Sequence, residues 1–250
     1  MHRTSILLFQ AFCDEYLRPQ RSGGVVLDVG SRAYGTTETF KGQLPEGWRY
    51  VGLDLEPGDN VDVVPSHAYL WDELSTGSID VCITGQTFEH NPVFWVTLAE
   101  MARVTKPGGL IFTVAPGAGP VHRYPYDCWR FYPDAWSALA SYVGLELVES
   151  EYGEPSLMKV EEGSHWNDSA AIFRRPQLSA DKEALFLAGL HAIANTARHL
   201  TREKLAEPRR GPALARFDAL VRRSVGYVVY RRLRKLGNLP RVFHKLFVQV

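Results

Sequence analysis

The chain has 250 residues, of which 45% are hydrophobic, and its 28 basic and 28 acidic side chains give a formal net charge of zero. This length suits one α/β domain with an appendage, and the composition excludes a disordered or fibrous protein. No stretch approaches the roughly 20 uninterrupted apolar residues that a membrane span needs. Three widely separated cysteines without metal-ligand spacing argue against a disulfide framework and a structural zinc site, so we expect a cytoplasmic protein.

The N-terminal half alternates short apolar runs with turns. Residues 6–13 predict an amphipathic first helix rather than a secretory signal, because Asp14 and Glu15 follow at once. The run Val25 to Val29 predicts a short buried strand that ends in Gly30. Further strands are predicted at residues 48–53, 61–64 and 78–84, with helical segments at residues 36–44 and 92–104.

The second half begins with a turn at Lys106 to Gly109, where glycine allows positive φ, and then returns to strands and helices. Alternation of strands and helices implies right-handed crossovers and a mainly parallel sheet covered on both faces. Beyond Pro176 the pattern becomes helical. The predicted strands are residues 110–115, 145–149 and 170–173, and the predicted helices are residues 133–143, 178–204 and 213–236.

The zero net charge hides a basic C-terminal segment. Residues 208–250 carry 11 Lys and Arg against one acid, Asp218, which leaves 17 basic and 27 acidic residues in the first 207. The segment is therefore about +10 and the body about −10, and its helical pattern is amphipathic. We expect it to pack on the acidic body or form a homodimer interface, with an anionic membrane surface as the alternative; nucleic acid is not expected.

The loop after the first strand and the end of the second strand predict a ligand site. Gly30 lets the backbone turn sharply, and the following helix offers unpaired N–H groups to a carboxylate. Asp54, at the tip of the second strand, is placed to accept hydrogen bonds from ribose hydroxyls. The loop lacks the G-x-G-x-x-G pattern, which disfavours pyrophosphate, and Thr36 stands where a P-loop requires Lys.

Four blocks in a fixed order resemble the class I methyltransferases of the type 11 group: residues 26–30, 50–54, 78–90 and 103–111. The resemblance implies a Rossmann-like, mainly parallel seven-stranded sheet with helices on both faces, with a methyltransferase domain at residues 1–177 and a basic helical extension at 178–250. It also implies S-adenosyl-L-methionine as cofactor. The implied contacts are Asp28, Gly30, Ser31 and Arg32 near its methionine end, Asp54 and Leu55 at the ribose, Ser66 and His67 at the adenine, and Gln86 beside the sulfonium.

Two positions depart from the family pattern. The family commonly has a second Gly where Arg32 stands, and Arg32 either pairs with the cofactor carboxylate or points to solvent. The family commonly has an Asp where Ser66 stands, which weakens the expected recognition of adenine.

The loop from His122 to Tyr132 predicts the reaction centre. Methyl transfer to an alcohol requires alignment and removal of the acceptor proton, so we expect a base after the fourth or fifth strand. His122 is the first candidate, with Asp127 as its alternative or orienting partner and His90 as the second candidate. Flat aromatic and charged side chains suit a sugar, although the same residues also fit a lid packed on the core. The predicted acceptor-binding residues are Glu89, Arg123, Tyr124, Tyr126, Trp129 and Arg130.

Residues 165–168 precede the last predicted strand. We expect these residues to stabilise a turn rather than to contact the acceptor or a divalent ion. We assign no metal ligand from the sequence. The main prediction is an O-methyltransferase for a sugar or similar polyhydroxylated small molecule. The alternatives are a methyltransferase for an amine or carboxylate of a natural product, and a non-catalytic scaffold that docks on a membrane or partner through its basic tail.

Overall fold

A computed structural model of the chain describes residues 2–20, 22–35, 38–123, 125–152 and 166–201. The predicted helix at residues 213–236 and the basic segment lie outside these residues, so the packing, dimer and membrane roles of the segment remain predictions. The helices are α1 (Arg3–Phe12), α2 (Phe94–Val104), α3 (Pro133–Val143) and α4 (Ala180–Thr196), and the strands are β1 (Gly24–Val29), β2 (Trp48–Leu53), β3 (Ile79–Gly85), β4 (Thr105–Pro116), β5 (Glu146–Tyr152) and β6 (Asp168–Arg174).

The strands form one sheet in the order β2-β1-β3-β4-β6-β5. The pairs β1–β2, β1–β3 and β3–β4 are parallel, whereas β6 runs antiparallel to both β4 and β5. This arrangement confirms the predicted Rossmann-like class. The antiparallel direction of β6 brings its first residue, Asp168, opposite Pro116 at the carboxyl end of β4.

The prediction of seven strands is wrong for the described residues, which contain six. The strand predicted at residues 61–64 is reduced to a single bridge between Leu53 and Val63. Its ladder fails because the side chain of Asp62, rather than a backbone carbonyl, accepts the N–H of Gly52 at 2.8 Å. Pro65, which lacks an N–H donor, follows immediately.

The turn predicted at residues 106–109 lies inside β4 as an irregular bulge. Ile79 pairs with Thr105 and Val81 pairs with Leu110, so the residues between Thr105 and Leu110 are looped out of the β3–β4 ladder. Gly108 has φ +80°, the conformation for which glycine was expected in this segment.

Alternate residues of the central strands face two separate cores. Leu27 of β1 packs in a cluster with residues of α2, α3 and α4, and its neighbour Val26 packs with Phe9 and Phe12 of α1 on the opposite face. Both faces are therefore covered by helices, as expected for a mainly parallel sheet. None of the helices in the described residues has the length and apolar character needed to cross a bilayer.

The helix predicted at residues 36–44 is replaced, in the described part of that segment, by a short 3₁₀ turn at Phe40–Gln43. Phe40 is drawn under α1, with its ring centroid 4.2 Å from that of Phe9. Gly42 and the β-branched Thr39 favour helix weakly, so burial of Phe40 decides the local structure. The helix N-terminus that was expected to receive a carboxylate is consequently not formed by residues 38–44.

Candidate functional site

The loop after β1 lies directly beside the end of β2. The backbone N–H groups of Gly30 and Ser31 both donate to the carbonyl of Leu53, at 2.9 and 3.2 Å. Gly30 has φ +80°, and a Cβ there would lie 2.2 Å from Oγ1 of Thr87. The loops after β1 and β3 thus approach so closely that only glycine fits between them.

Asp54 lies immediately after β2, within this junction. Its Oδ2 accepts the backbone N–H of Arg32 at 3.1 Å, and its Oδ1 accepts the N–H of Glu56 at 3.1 Å. These two bonds fix the carboxylate at the tip of the strand, where lone pairs remain for further donors. The contact of Asp54 with ribose hydroxyls stays a prediction.

Asp28 is buried at the end of β1, and its Oδ2 accepts the hydroxyl of Tyr50 at 2.8 Å. Burial raises the pKa of Asp28 to about 7, although the hydrogen bond from Tyr50 opposes the shift and the charge of Asp54 adds to it. Tyr50 was not singled out from the sequence. Its place three residues before the end of β2 identifies it only once the β1–β2 register is known.

Three other predicted cofactor residues have protein partners. The guanidinium of Arg32 pairs with Glu56 and lies 5.1 Å from the ring of Tyr34. The backbone N–H of Ser66 donates to Glu73 at 2.7 Å. Nε2 of His67 lies 3.1 Å from the carbonyl of Arg198, and its Nδ1 accepts the N–H of Tyr69 at 3.1 Å. Leu55, which directly follows Asp54 in the sequence, is half-buried.

Gln86, directly after β3, adopts a left-handed backbone conformation with φ +55°. A residue other than glycine rarely adopts this conformation, which costs of order 1 kcal/mol or more and is found at functional sites. Its side-chain N–H group donates to Oγ of Ser5 at 2.9 Å and to Oδ1 of Asp168 at 3.1 Å. Oε1 of Gln86 is buried and has no hydrogen-bond partner among the described residues.

Asp168 joins the N-terminal segment to the carboxyl ends of the strands. Its Oδ1 lies 3.0 Å from Nδ1 of His2. Its Oδ2 accepts hydrogen bonds from Oγ of Ser5 at 2.9 Å and from the hydroxyl of Thr4. Burial opposes ionisation of Asp168, but these hydrogen bonds and the proximity of His2 hold its pKa below the usual value. The contacts span more than 160 residues, so no local sequence signal could have revealed them.

Glu89 lies three residues beyond Gln86 and is fully buried. Neither of its carboxylate oxygens has a hydrogen-bond partner among the described residues. Burial raises the pKa of Glu89 to about 8, and the charges of Asp168 and Asp127 add to the shift while that of Arg130 opposes it. The backbone carbonyl of Glu89 accepts the N–H of Cys128 at 2.7 Å, which ties the loop after β4 to the loop after β3.

The structure brings His90 and His122 together, with ring centroids 4.9 Å apart. Nδ1 of His90 is hydrogen-bonded to the backbone carbonyl of Tyr126, and its Nε2 lies 3.6 Å from Oε1 of Glu89. Nδ1 of His122 lies 3.5 Å from Oδ2 of Asp127. Burial lowers the pKa of both histidines, and for His122 the carboxylate of Asp127 partly offsets that effect.

Asp127 is held by Arg130 rather than free to act as a base. The guanidinium donates to both carboxylate oxygens, and the backbone N–H of His122 donates to Oδ2 at 2.7 Å. Arg130 and Asp127 are therefore paired, and of the two roles considered for Asp127, this geometry supports the orienting one.

Trp166 connects the cofactor residues with the histidine pair. Its ring stacks on that of His2 with centroids 5.1 Å apart, and it lies 4.5 Å from the ring of His122. His2 in turn contacts Asp168, the partner of Gln86. His2 was assigned no role from the sequence, and Trp166 was only grouped with residues 165–168 as turn-stabilising, because these ring contacts are long-range.

The remaining predicted acceptor residues line the outside of this cluster. Trp129 is 39% exposed, and its indole N–H donates to the carbonyl of Asn91 at 3.0 Å, which fixes the ring with one part open to solvent. Tyr126 is half-buried and Arg123 is exposed. Tyr124 lies outside the described residues.

Residues 27–113 match a family model described as a methyltransferase domain. This range begins within β1, ends within β4, and contains Asp28, Asp54, Gln86 and His90. Its ends coincide with the parallel part of the sheet, where the predicted cofactor residues lie.

Several curated proteins that are similar in sequence to this chain are also described as methyltransferases. The chain is 31% identical over 130 residues to an uncharacterised methyltransferase of Mycobacteroides abscessus, a match that covers 46% of this chain and 49% of that protein. A second uncharacterised methyltransferase, from Mycobacterium ulcerans, is 31% identical over 99 residues, covering 36% of this chain and 38% of its own length. The chain thus spans less than half the length of these relatives.

Among solved structures, the fold is similar to Burkholderia thailandensis 1,6-didemethyltoxoflavin-N1-methyltransferase, solved with 1,6-didemethyltoxoflavin and S-adenosylhomocysteine. The TM-score is 0.53 at 14% identity, over 69% of this chain and 79% of that one. At this identity the likeness establishes the fold alone.

Proposed function

We propose, from the premise that this chain carries a class I, Rossmann-like methyltransferase domain, that the protein transfers a methyl group from S-adenosyl-L-methionine to a hydroxyl of a sugar or similar polyhydroxylated small molecule. The observation that carries the proposal is the meeting of His90 and His122 in the loops that follow β3 and β4, at the same edge of the sheet as Asp54. A candidate base and a candidate adenosine site thus lie at the same edge of one sheet.

The residues at the strand ends fit the proposed cofactor. Asp54 presents a fixed carboxylate suited to two ribose hydroxyls, and the loop at Gly30 runs beside it. Oε1 of Gln86 is a buried acceptor without a partner, which suits the ammonium group of an amino acid. When bound, the cofactor supplies a methyl group on a positive sulfur, which leaves as a neutral thioether as the bond from carbon to the acceptor oxygen forms.

The acceptor proton is removed at the histidine pair. His122 is the first candidate and His90 the second, since burial lowers the pKa of both rings and keeps them neutral near pH 7. Asp127 orients His122 through its backbone N–H. Trp129 is partly exposed and offers apolar ring surface to a sugar, and Arg123 is an exposed cation on the same loop.

The cofactor assignment is tested by isothermal titration calorimetry of S-adenosylhomocysteine with the full chain. We expect binding by the wild type and a loss of about 10- to 100-fold in affinity for Asp54→Asn, because two hydrogen bonds to a charged acceptor are weakened. Asp72→Asn, at an exposed position outside the site, is the matched control. Wild-type affinity in Asp54→Asn would refute the proposed ribose contact, and no binding by the wild type would refute the function.

The acceptor class is tested by profiling hydroxylated and amine substrates with the His90→Ala, His122→Ala double variant. Transfer to a hydroxyl is expected to fall steeply, because an alcohol needs its proton removed. Transfer that survives the double substitution would instead favour an amine acceptor.

A further inference from the structure

Glu89, His90 and His122 each direct one ligand atom into a common space, and these three atoms lie within 4.8 Å of one another. Two imidazoles and one carboxylate form a ligand set used for divalent transition metals in proteins. We propose that this chain binds a divalent transition-metal cation at Glu89, His90 and His122. The inference rests on the proposed function and changes one step of it: with both histidines bound to the ion, the ion activates the acceptor hydroxyl and neither ring acts as the base.

The burial of Glu89 is independent evidence for a missing cation. Its side chain is 0% exposed, and both carboxylate oxygens lack hydrogen-bond partners among the described residues. Within the part of the chain that the structure describes, His90 is the only basic group within 4 Å of this carboxylate. A buried carboxylate without compensation is costly, whereas a metal ion would use the unpaired oxygen lone pairs.

The surroundings of both histidines resemble the second shell of a metal site. Ligating histidines usually give their other ring nitrogen to a backbone carbonyl or a carboxylate. Nδ1 of His90 is bonded to the carbonyl of Tyr126. Nδ1 of His122 lies 3.5 Å from the carboxylate of Asp127 and 3.4 Å from the guanidinium of Arg130, so the ion pair formed by these two residues holds that nitrogen. Nε2 of each ring is then the nitrogen directed to the cation.

The spacing of the ligand atoms is compatible with coordination. Nε2 of His90 and Oε1 of Glu89 are 3.6 Å apart. Two ligands at about 2.1 Å from a tetrahedral metal lie roughly 3.4 Å apart, so this pair needs only a small adjustment. The three ligand atoms together lie within 4.8 Å, so the set must contract when an ion binds.

The local charge also favours a cation. Glu89 is influenced electrostatically by Asp168, Asp127 and Arg130, so three carboxylates face one guanidinium. Imidazole ligands favour zinc, copper, iron or nickel over the calcium and magnesium that prefer all-oxygen sites. An acceptor hydroxyl bound to such an ion would have a lowered pKa. Its O–H bond breaks with the electron pair left on oxygen, and the proton passes to water.

The experiment uses the full chain, treated with a chelator and dialysed. Co²⁺ is titrated in while its visible absorption bands are recorded, and Zn²⁺ binding is measured by calorimetry. We expect one ion per chain, and affinity at least about 100-fold lower in His90→Gln and His122→Gln, because each removes a ligand. His191→Gln, at an exposed position of α4, is the matched control and should bind like the wild type.

Absence of one-to-one Co²⁺ binding by the wild type, or equal losses in His191→Gln and His122→Gln, would overturn the metal site. Circular dichroism of each variant checks that it is folded, and the partly exposed histidines allow the test even if Glu89→Gln unfolds. Binding of S-adenosylhomocysteine separates the two proposals. Cofactor binding without Co²⁺ binding refutes the metal site alone, and Co²⁺ binding without cofactor binding refutes the methyltransferase function alone.

Discussion

Arg130 holds Asp127 through both carboxylate oxygens, at 2.5 and 2.8 Å. Burial alone would raise the pKa of Asp127, but the hydrogen bonds from Arg130 and from the backbone of His122 hold it below its usual value. The pair therefore stays ionised and fixes the start of the loop that carries His122. The orientation of His122 depends on a salt bridge that sequence spacing could only suggest.

Arg130→Gln is expected to destabilise the protein by about 2–4 kcal/mol, because it leaves the nearly buried carboxylate of Asp127 without its charge partner. Urea denaturation measures the change. The double variant Asp127→Asn, Arg130→Gln removes both charges and should recover part of the loss. Asp127→Asn alone completes the cycle, and a loss in the double variant equal to the sum of the two single losses would show that the ion pair does not couple the two residues.

Substitution of three glycines by alanine distinguishes a steric clash from the cost of a positive φ angle in the segment after β1. Gly30 has φ +80° and its Cβ would clash with Thr87, Gly35 has φ +63° with no atom within 4 Å, and Gly42 has neither constraint. Alanine should therefore destabilise most at residue 30, by about 2–4 kcal/mol, less at residue 35, and least at residue 42. Thermal unfolding ranks the three variants, and a Gly30→Ala variant as stable as Gly42→Ala would contradict the close approach to Thr87.

Asp28 is expected to make stability depend on pH. Its folded pKa is raised to about 7 from an ordinary value of 3.8, so the folded state keeps a proton that the unfolded state releases. Stability should therefore fall as pH rises from about 4 to about 7, by on the order of 4 kcal/mol, and level off above that range. Denaturant unfolding across this range, without cofactor, should show a smaller slope for Asp28→Asn than for the wild type.

Asp72→Asn, which removes an exposed carboxylate, should keep the wild-type slope in the same measurements. Tyr50→Phe removes the hydrogen bond that favours the ionised form of Asp28, so it should extend the decline to higher pH. An unchanged slope in Asp28→Asn would mean that its carboxyl group does not hold a proton in the folded protein.

Asp168→Asn should loosen the N-terminal segment, because Asn cannot accept all the hydrogen bonds that reach the carboxylate from Thr4, Ser5 and Gln86. We expect a stability loss of about 1–3 kcal/mol and faster hydrogen exchange at residues 2–12. Asp181→Asn, on the exposed start of α4, serves as the control. Exchange that is equally fast in both variants would argue against this anchoring role.

The sequence was informative about the fold wherever apolar periodicity and turn residues agreed. The bounds of β2 and α3 were predicted to the residue, because the second strand follows the break at Pro45 to Gly47 and Pro133 opens α3. The predicted strand at residues 61–64 and the helix at residues 36–44 were wrong for tertiary reasons. Asp62 bonds to Gly52 and Phe40 enters the core under α1, and neither contact is visible in local sequence.

The candidate site was predictable in its chain positions but not in its pairings. Residues at the ends of parallel strands meet at one edge, so Asp54, Gln86 and His90 could be grouped from topology alone. The unpartnered carboxylate of Glu89 depends on three-dimensional packing. So does the contact of His2 with Asp168, which lies 166 residues away.

Because β6 runs antiparallel to β4, a carboxylate encoded late in the chain arrives at an edge formed by much earlier residues. During synthesis, Gln86 and the N-terminal helix must wait for Asp168 to emerge before their polar groups are satisfied. Contacts of such long sequence separation are slow to form. We therefore expect the anchoring of the amino-terminal helix to be among the last events in folding, after the parallel strands have paired.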